Sequence, residues 1–158
     1  MFKNPHVVIG SVSLLLILAL ISAFTLTQPT ELTYDDYIEQ ADAALDAENY
    51  EEALELYDLA SEIEPENKYP YIQQGTIYFV LEDYPDAVLH LTYALDVTEG
   101  DPEPYLIRAR MFDEMEWHSD ALDDYRRYLE FAAPNDPFRE FARQRVGALW
   151  LELFAGND

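Results

Sequence analysis

Residues 68 to 101, KYPYIQQGTIYFVLEDYPDAVLHLTYALDVTEGD, recur in altered form 34 residues earlier and 34 residues later. The landmarks of this unit are Tyr71, Gly75, Tyr78, Tyr84, Ala87, Leu91, Ala94 and Leu95. The same slots hold Tyr37, Ala41, Ala44, Tyr50, Ala53, Tyr57, Ala60 and Ser61 upstream. Downstream they hold Tyr105, Ala109, Phe112, His118, Ala121, Tyr125, Tyr128 and Leu129. A fixed period of this length marks stacked helical hairpins, because one hairpin cannot bury its apolar stripe alone. Gly75, Ala41 and Ala109 remove bulk where the two helices of a hairpin approach each other. Ala53, Ala87 and Ala121 do the same on the second helix, and the aromatic and aliphatic slots fill the space between.

Turn residues place the helices. The pattern predicts pairs at 34–47 and 50–63, 69–81 and 84–97, and 103–115 and 118–132, with a last helix at 137–154. Thr33 or Thr30 is expected to cap the first helix. Pro65-Glu66-Asn67, Gly100-Asp101-Pro102 and Pro134-Asn135-Asp136-Pro137 break the chain between units. Pro85 falls in a first helical turn, where its missing N–H costs little. Asp136 is expected to cap the last helix. In that helix Phe138, Phe141, Ala142, Val146, Leu149 and Leu153 share one stripe, suited to cover the last hairpin. Trp150, Leu151 and Phe154 form a second apolar edge, open to packing within the domain or to an oligomer or partner contact.

The repeats resemble the tetratricopeptide family. The shared pattern is aromatic at position 4, small at 8, aromatic at 11, small at 20, aromatic at 24 and small at 27, with Pro65 in the frequent proline slot at 32. The resemblance covers about residues 34 to 135. Departures are Gln40, Gln74 and Arg108 in the usually apolar slot 7, Tyr128 in the small slot 27, and Glu99 and Ala133 in the proline slot. The resemblance implies an all-α right-handed superhelix of three hairpins with a capping helix, acting in protein–protein interaction. It also implies a concave groove lined by helix A positions. Carried over slot by slot, these are Asp35, Ile38, Asp42, Leu45 and Asp46, then Tyr69, Ile72, Thr76, Phe79 and Val80, then Glu103, Leu106, Arg110, Asp113 and Glu114. The result is an apolar middle with acids on both flanks, suited to a segment with apolar anchors and basic flanks; the alternative is that its apolar residues pack against the last helix or the membrane-side linker. Members that bind chaperone tails grip a terminal carboxylate with Lys, Asn and Arg. The corresponding first-repeat slots here are Ile38 and Asp42, so that activity is not expected to transfer.

Ahead of the repeats, Val7–Thr27 runs 21 residues without a charge. At about 1.5 Å per residue such a helix matches a hydrocarbon core of roughly 30 Å. A signal-peptide core is shorter, about 7–15 residues, and Ile21 suits the position two before a cleavage point after Ala23 poorly. A retained anchor is therefore expected, with a cleaved, secreted form as the alternative. Lys3 is the only base flanking the segment, and the far side is strongly acidic. A cytoplasmic N-terminus and an extracytoplasmic repeat domain follow. The expected organisation is a tail at 1–6, a membrane helix at 7–27, a linker at 28–33, repeats at 34–67, 68–101 and 102–135, and a capping helix and tail at 136–158.

Composition narrows the function. Net charge is −23, and every acid lies at or beyond Glu31. Residues 31–100 carry 19 acids and one base, Lys68, whereas residues 101–158 carry 13 acids and 7 arginines. Such a surface repels nucleic-acid phosphates and anionic headgroups. It fits a halophilic source or a basic partner, and the two readings are compatible. With no Cys, disulfides, thiolate nucleophiles and thiolate metal sites are excluded. His6, His90 and His118 share no ligand spacing, and His118 occupies a slot held by Tyr50 and Tyr84. Adjacent acids such as Glu51-Glu52 point about 100° apart on a helix and do not converge as an acid–base pair. No phosphate loop, EF-hand or nucleophile elbow occurs. No enzyme activity, cofactor or metal is expected. The expected function is an adaptor that holds a partner protein near the membrane during assembly or stabilisation of an envelope complex. The alternative is a permanent accessory subunit whose anchor packs against other membrane helices.

Overall fold

The computed structural model describes residues 32–155, so the proposed anchor Val7–Thr27 lies outside the described residues. Among the described residues there are seven helices and no strand, and no helix is long and apolar enough to cross a membrane. The helices are α1 (Tyr34–Asp46), α2 (Tyr50–Ile63), α3 (Lys68–Val80), α4 (Tyr84–Asp96), α5 (Pro102–Glu114), α6 (His118–Phe131) and α7 (Arg139–Phe154). They pair as hairpins α1–α2, α3–α4 and α5–α6. Successive hairpins stack through α2 on α3 and α4 on α5, and α7 closes the array on α6. Odd-numbered helices up to α5 are the first members of hairpins and carry the expected groove positions.

Local chemistry explains the ends. Thr33 caps α1: its hydroxyl accepts from the Asp36 amide, and the Asp36 carboxylate accepts from the Thr33 amide at 2.9 Å. Asn67 and Asp101 accept from the amides of Tyr69 and Glu103 at the starts of α3 and α5. Between the helices of every hairpin the chain makes the same closure. The amides of Asn49, Asp83 and Trp117 donate to the carbonyls of Ala44, Tyr78 and Phe112, each at 2.8 Å. The residue before each donor, Glu48, Glu82 and Glu116, has φ 60°. This left-handed helix stop favours glycine, yet all three repeats place glutamate there.

The alternating small and large slots make the core. Ala41, Ala53, Tyr57, Ala60, Ala87, Leu91, Ala94, Ala109, Ala121 and Tyr125 are fully buried. Gly75 is required by its neighbour: a Cβ there would stand 2.9 Å from Leu91 Cγ and 3.1 Å from the Ala87 carbonyl oxygen. The equivalent positions Ala41 and Ala109 instead belong to hairpins with Tyr57 and Tyr125 in the Leu91 slot.

Two of the three departures in slot 7, Gln74 and Arg108, form a polar seam, whereas Gln40 is exposed and donates to the Asp36 carbonyl of its own helix at 2.9 Å. Gln74, 1% exposed, donates to the Asp58 carboxylate at 2.6 Å and accepts from His90 Nδ1 at 3.0 Å. Arg108 donates twice to Asp124, at 2.6 and 2.9 Å, and to the Thr92 hydroxyl at 2.9 Å. Each bridges its own hairpin to the preceding one, since Asp58 lies on α2 and Thr92 on α4. Tyr128 is also buried despite its small-residue slot. Its hydroxyl donates to Asp136 in the turn before α7. Asp136 also accepts from the Phe138 amide at 2.9 Å. Asp136 therefore organises the turn rather than capping α7 directly, and Phe138 is the N-cap residue. On α7, Ala142 and Leu149 are buried and Val146 and Leu153 pack on the core, whereas Phe138 and Phe141 remain substantially exposed.

Candidate protein-binding groove

Some of the expected groove positions on the first members of the three hairpins meet in two local arrangements. At the first, Asp42 on α1 accepts hydrogen bonds from two phenols. Tyr57 of α2 donates to Oδ1 at 2.6 Å, and Tyr69 of α3 donates at 3.1 and 3.2 Å to the two carboxylate oxygens. The two rings meet edge to face with centroids 6.4 Å apart. Burial first, and the Asp42 carboxylate next, push the Tyr57 hydroxyl far above the usual phenol range, so it remains a donor. Burial raises Tyr69 in the same direction.

At the second, a concave pocket of about 560 Å³ is lined by Thr76, Phe79, Ile107, Arg110, Met111, Asp113, Glu114, Tyr125, Phe141 and Arg145. Arg145 of α7 donates twice to Asp113, at 2.7 and 2.5 Å, and Tyr125 donates to the same carboxylate at 3.3 Å. The Asp113 hydrogen bond and charge hold the Arg145 guanidinium above its ordinary range. Phe141 of α7 meets Tyr125 edge to face at 5.9 Å. The capping helix thus forms one wall of the pocket, and Phe79, with its ring 5.8 Å from Tyr84, lies on another.

Among the expected groove residues, Thr76, Phe79, Arg110 and Asp113 come together in this pocket, and Asp42 and Tyr69 meet at the other site. Asp35 is exposed in the first turn of α1, and Ile72 is half-buried with its carbonyl accepting from Thr76 at 2.9 Å. Ile38 packs on the core cluster of the first hairpin. Leu106 departs from expectation: it is 8% exposed and belongs to the core with Tyr128, and Val88 packs against that cluster. The large Tyr128 in a small-residue slot enlarges that core, and slot transfer assigned Leu106 to the groove without allowing for it. Residues the transfer missed are Tyr57, Tyr125, Ile107, Met111, Phe141 and Arg145. The hydroxyls of Tyr57 and Tyr125 were visible in slot 24. The reach of Arg145 depends on how α7 seats and has no sequence signature. Among the described residues no group of three or more His, Cys, Asp or Glu is arranged to hold a metal.

No family model matches the chain, and no curated protein matches it. Several solved structures share its architecture. The first tetratricopeptide domain of Spaghetti (RPAP3) bound to the HSP90 peptide SRMEEVD has a TM-score of 0.64 at 20% identity, over 77% of this chain and 93% of that one. The type III secretion chaperone SycD of Yersinia enterocolitica, in complex with a peptide of the translocator YopD, has a TM-score of 0.67 at 14% identity, over 75% and 93%. The TPR2B domain of yeast Sti1 in complex with pHsp70 has a TM-score of 0.65 at 12% identity, over 75% and 97%. With the repeat geometry, these likenesses define the fold class: the helices form a tetratricopeptide-type superhelix.

Proposed function

We propose that the chain is a membrane-anchored, non-enzymatic adaptor. It holds a segment of a partner protein in its concave groove on the extracytoplasmic side, in the assembly or stabilisation of an envelope complex. The pocket between Phe79 and Phe141 carries this reading. It is open, lined by the apolar Phe79, Ile107 and Met111 and by the charged Arg110, Asp113 and Glu114. Apolar anchors with a polar rim give specific but reversible protein binding. Peptides occupy the similar folds of RPAP3 and SycD, which supports a protein partner. The tether rests on Val7–Thr27 and the orientation on Lys3. A carboxylate-gripping mode is disfavoured because Asp42 stands where a gripping residue would be needed.

The test is mild-detergent purification from the native membrane, wild type against Phe79→Asp, with helix content checked by circular dichroism. The adaptor reading predicts a defined, substoichiometric partner lost in the variant. Equal recovery with both proteins, in a folded variant, contradicts the groove. The accessory-subunit reading is favoured by the exposed edge of Trp150, Leu151 and Phe154. It predicts stoichiometric membrane partners that survive Phe79→Asp.

A further inference from the structure

We propose that Asp42, framed by the Tyr57 and Tyr69 hydroxyls, is a subsite that accepts an arginine side chain of the bound partner segment. This rests on the groove reading above and adds the chemistry of one anchor. The template is inside the molecule. Tyr57 and Tyr125 hold the same repeat slot, on α2 and α6, and each donates its hydroxyl to a carboxylate on the first helix of its own hairpin. At Asp113 the third element is a guanidinium: Arg145 reaches across from α7 and forks onto both oxygens. At Asp42 the corresponding groups are all phenols. Two phenol hydrogen bonds orient the carboxylate and leave its charge uncompensated. A carboxylate has about four lone-pair directions; Oδ1 accepts from both phenols and Oδ2 only from Tyr69, so Oδ2 keeps capacity for a further donor.

No cation among the described residues of the chain fills this subsite. Among the described residues no ion pair includes Asp42. Lys68, the single base of residues 31–100, is committed to Asp101 at 2.5 Å and Glu103 at 2.6 Å. The two aspartates stand in different slots, Asp42 aligning with Arg110 and Asp113 with Leu45; repeat 2 lacks the device, because Leu91 replaces the tyrosine and Thr76 and Phe79 hold the two aspartate slots. The charge of this part of the chain, 19 acids against one base, also favours a cationic occupant. Arginine suits it better than lysine: one guanidinium N–H can donate to Oδ2 while the planar face stacks on a tyrosine ring such as Tyr69.

The experiment is selection of a displayed random peptide library on the full chain in detergent micelles. One selected peptide is then synthesised and titrated against variants. The selected pool should be enriched in arginine roughly threefold over input. Asp42→Asn, which is isosteric, should weaken binding about tenfold, as expected for loss of one charge-assisted hydrogen-bonded pair. Tyr69→Phe, which keeps the charge, should weaken it less, and Arg→Lys in the peptide should also weaken it. Glu55→Gln removes one exposed charge from α2 and should leave binding within about twofold, excluding a general attraction to the acidic surface. Binding that falls with Phe79→Asp but is unchanged by Asp42→Asn and Tyr69→Phe overturns the subsite and keeps the groove. Binding indifferent to Phe79→Asp, or no recoverable binder, overturns both.

Discussion

Replacing Arg108 with methionine removes one half of an ion pair that the fold has taken out of water. The side chains of Arg108 and Asp124 are 16% and 7% exposed, and two hydrogen bonds of 2.6 and 2.9 Å join them. Methionine preserves most of the stem's packing, so the deficit reports the orphaned carboxylate and the lost bond to Thr92. Removing one partner of a buried pair costs about 3–5 kcal/mol, and the residual exposure of Arg108 favours the lower end. The expected loss is about 3 kcal/mol in urea unfolding of the full chain, or roughly 10–15 °C in Tm for a domain of this size. Burial already lifts the Asp124 carboxyl above its usual range, with Arg108 opposing that rise. Without Arg108 the carboxyl should rise further and take up a proton in mildly acidic solution, so the deficit of Arg108→Met should shrink from pH 7 to pH 5. The double variant Arg108→Met/Asp124→Leu should recover most of the lost stability. A loss below about 1 kcal/mol, or a deficit independent of pH, would refute the claim that Gln74 and Arg108 form a buried, structurally required seam.

The same seam predicts a histidine effect. Burial lowers the pKa of His90, and Asp58 and Asp86 partly oppose this. The stability that neutral His90 supports is present in full above about pH 6.5. It declines as pH falls from there towards the folded value, because the unfolded chain binds the proton more readily; His90→Gln should remove this slope from an unfolding series between pH 7.5 and 5. Glu82→Gly should stabilise by about 0.5–1 kcal/mol, since φ 60° strains a residue with a Cβ, and a fall in urea midpoint would contradict the assignment of that turn. Gly75→Ala should destabilise by about 1 kcal/mol. Overpacking against Leu91 and the Ala87 carbonyl outweighs the gain in helix propensity. Gly75→Ala/Leu91→Tyr, which restores the pair found in the flanking repeats, should lose less.

The helices were legible because small and aromatic residues recur at a fixed interval, and their packing permits one arrangement. Gln74 and Arg108 read as defects in that pattern, since a single sequence does not show that Asp58, His90, Thr92 and Asp124 converge on them from two hairpins. Tyr128 read as a misfit until its hydroxyl found Asp136. Phe79 and Arg110, expected from one helix each, line the pocket beside α7, whereas Leu106 is buried, because neighbouring volumes decide burial there. The Arg145–Asp113 contact spans 32 residues and depends on the seating of α7, which the stripe through Ala142 and Leu149 fixes only as a face.

The central claim, that the concave face holds another polypeptide, is tested most directly by a photocrosslinking side chain at Thr76 in the full chain in its native membrane, with one at Glu55 as control. The account predicts a discrete adduct with a second protein from Thr76 that is absent from Glu55. Crosslinks from Thr76 only to the chain's own α7, or the same adducts from both positions, would contradict it.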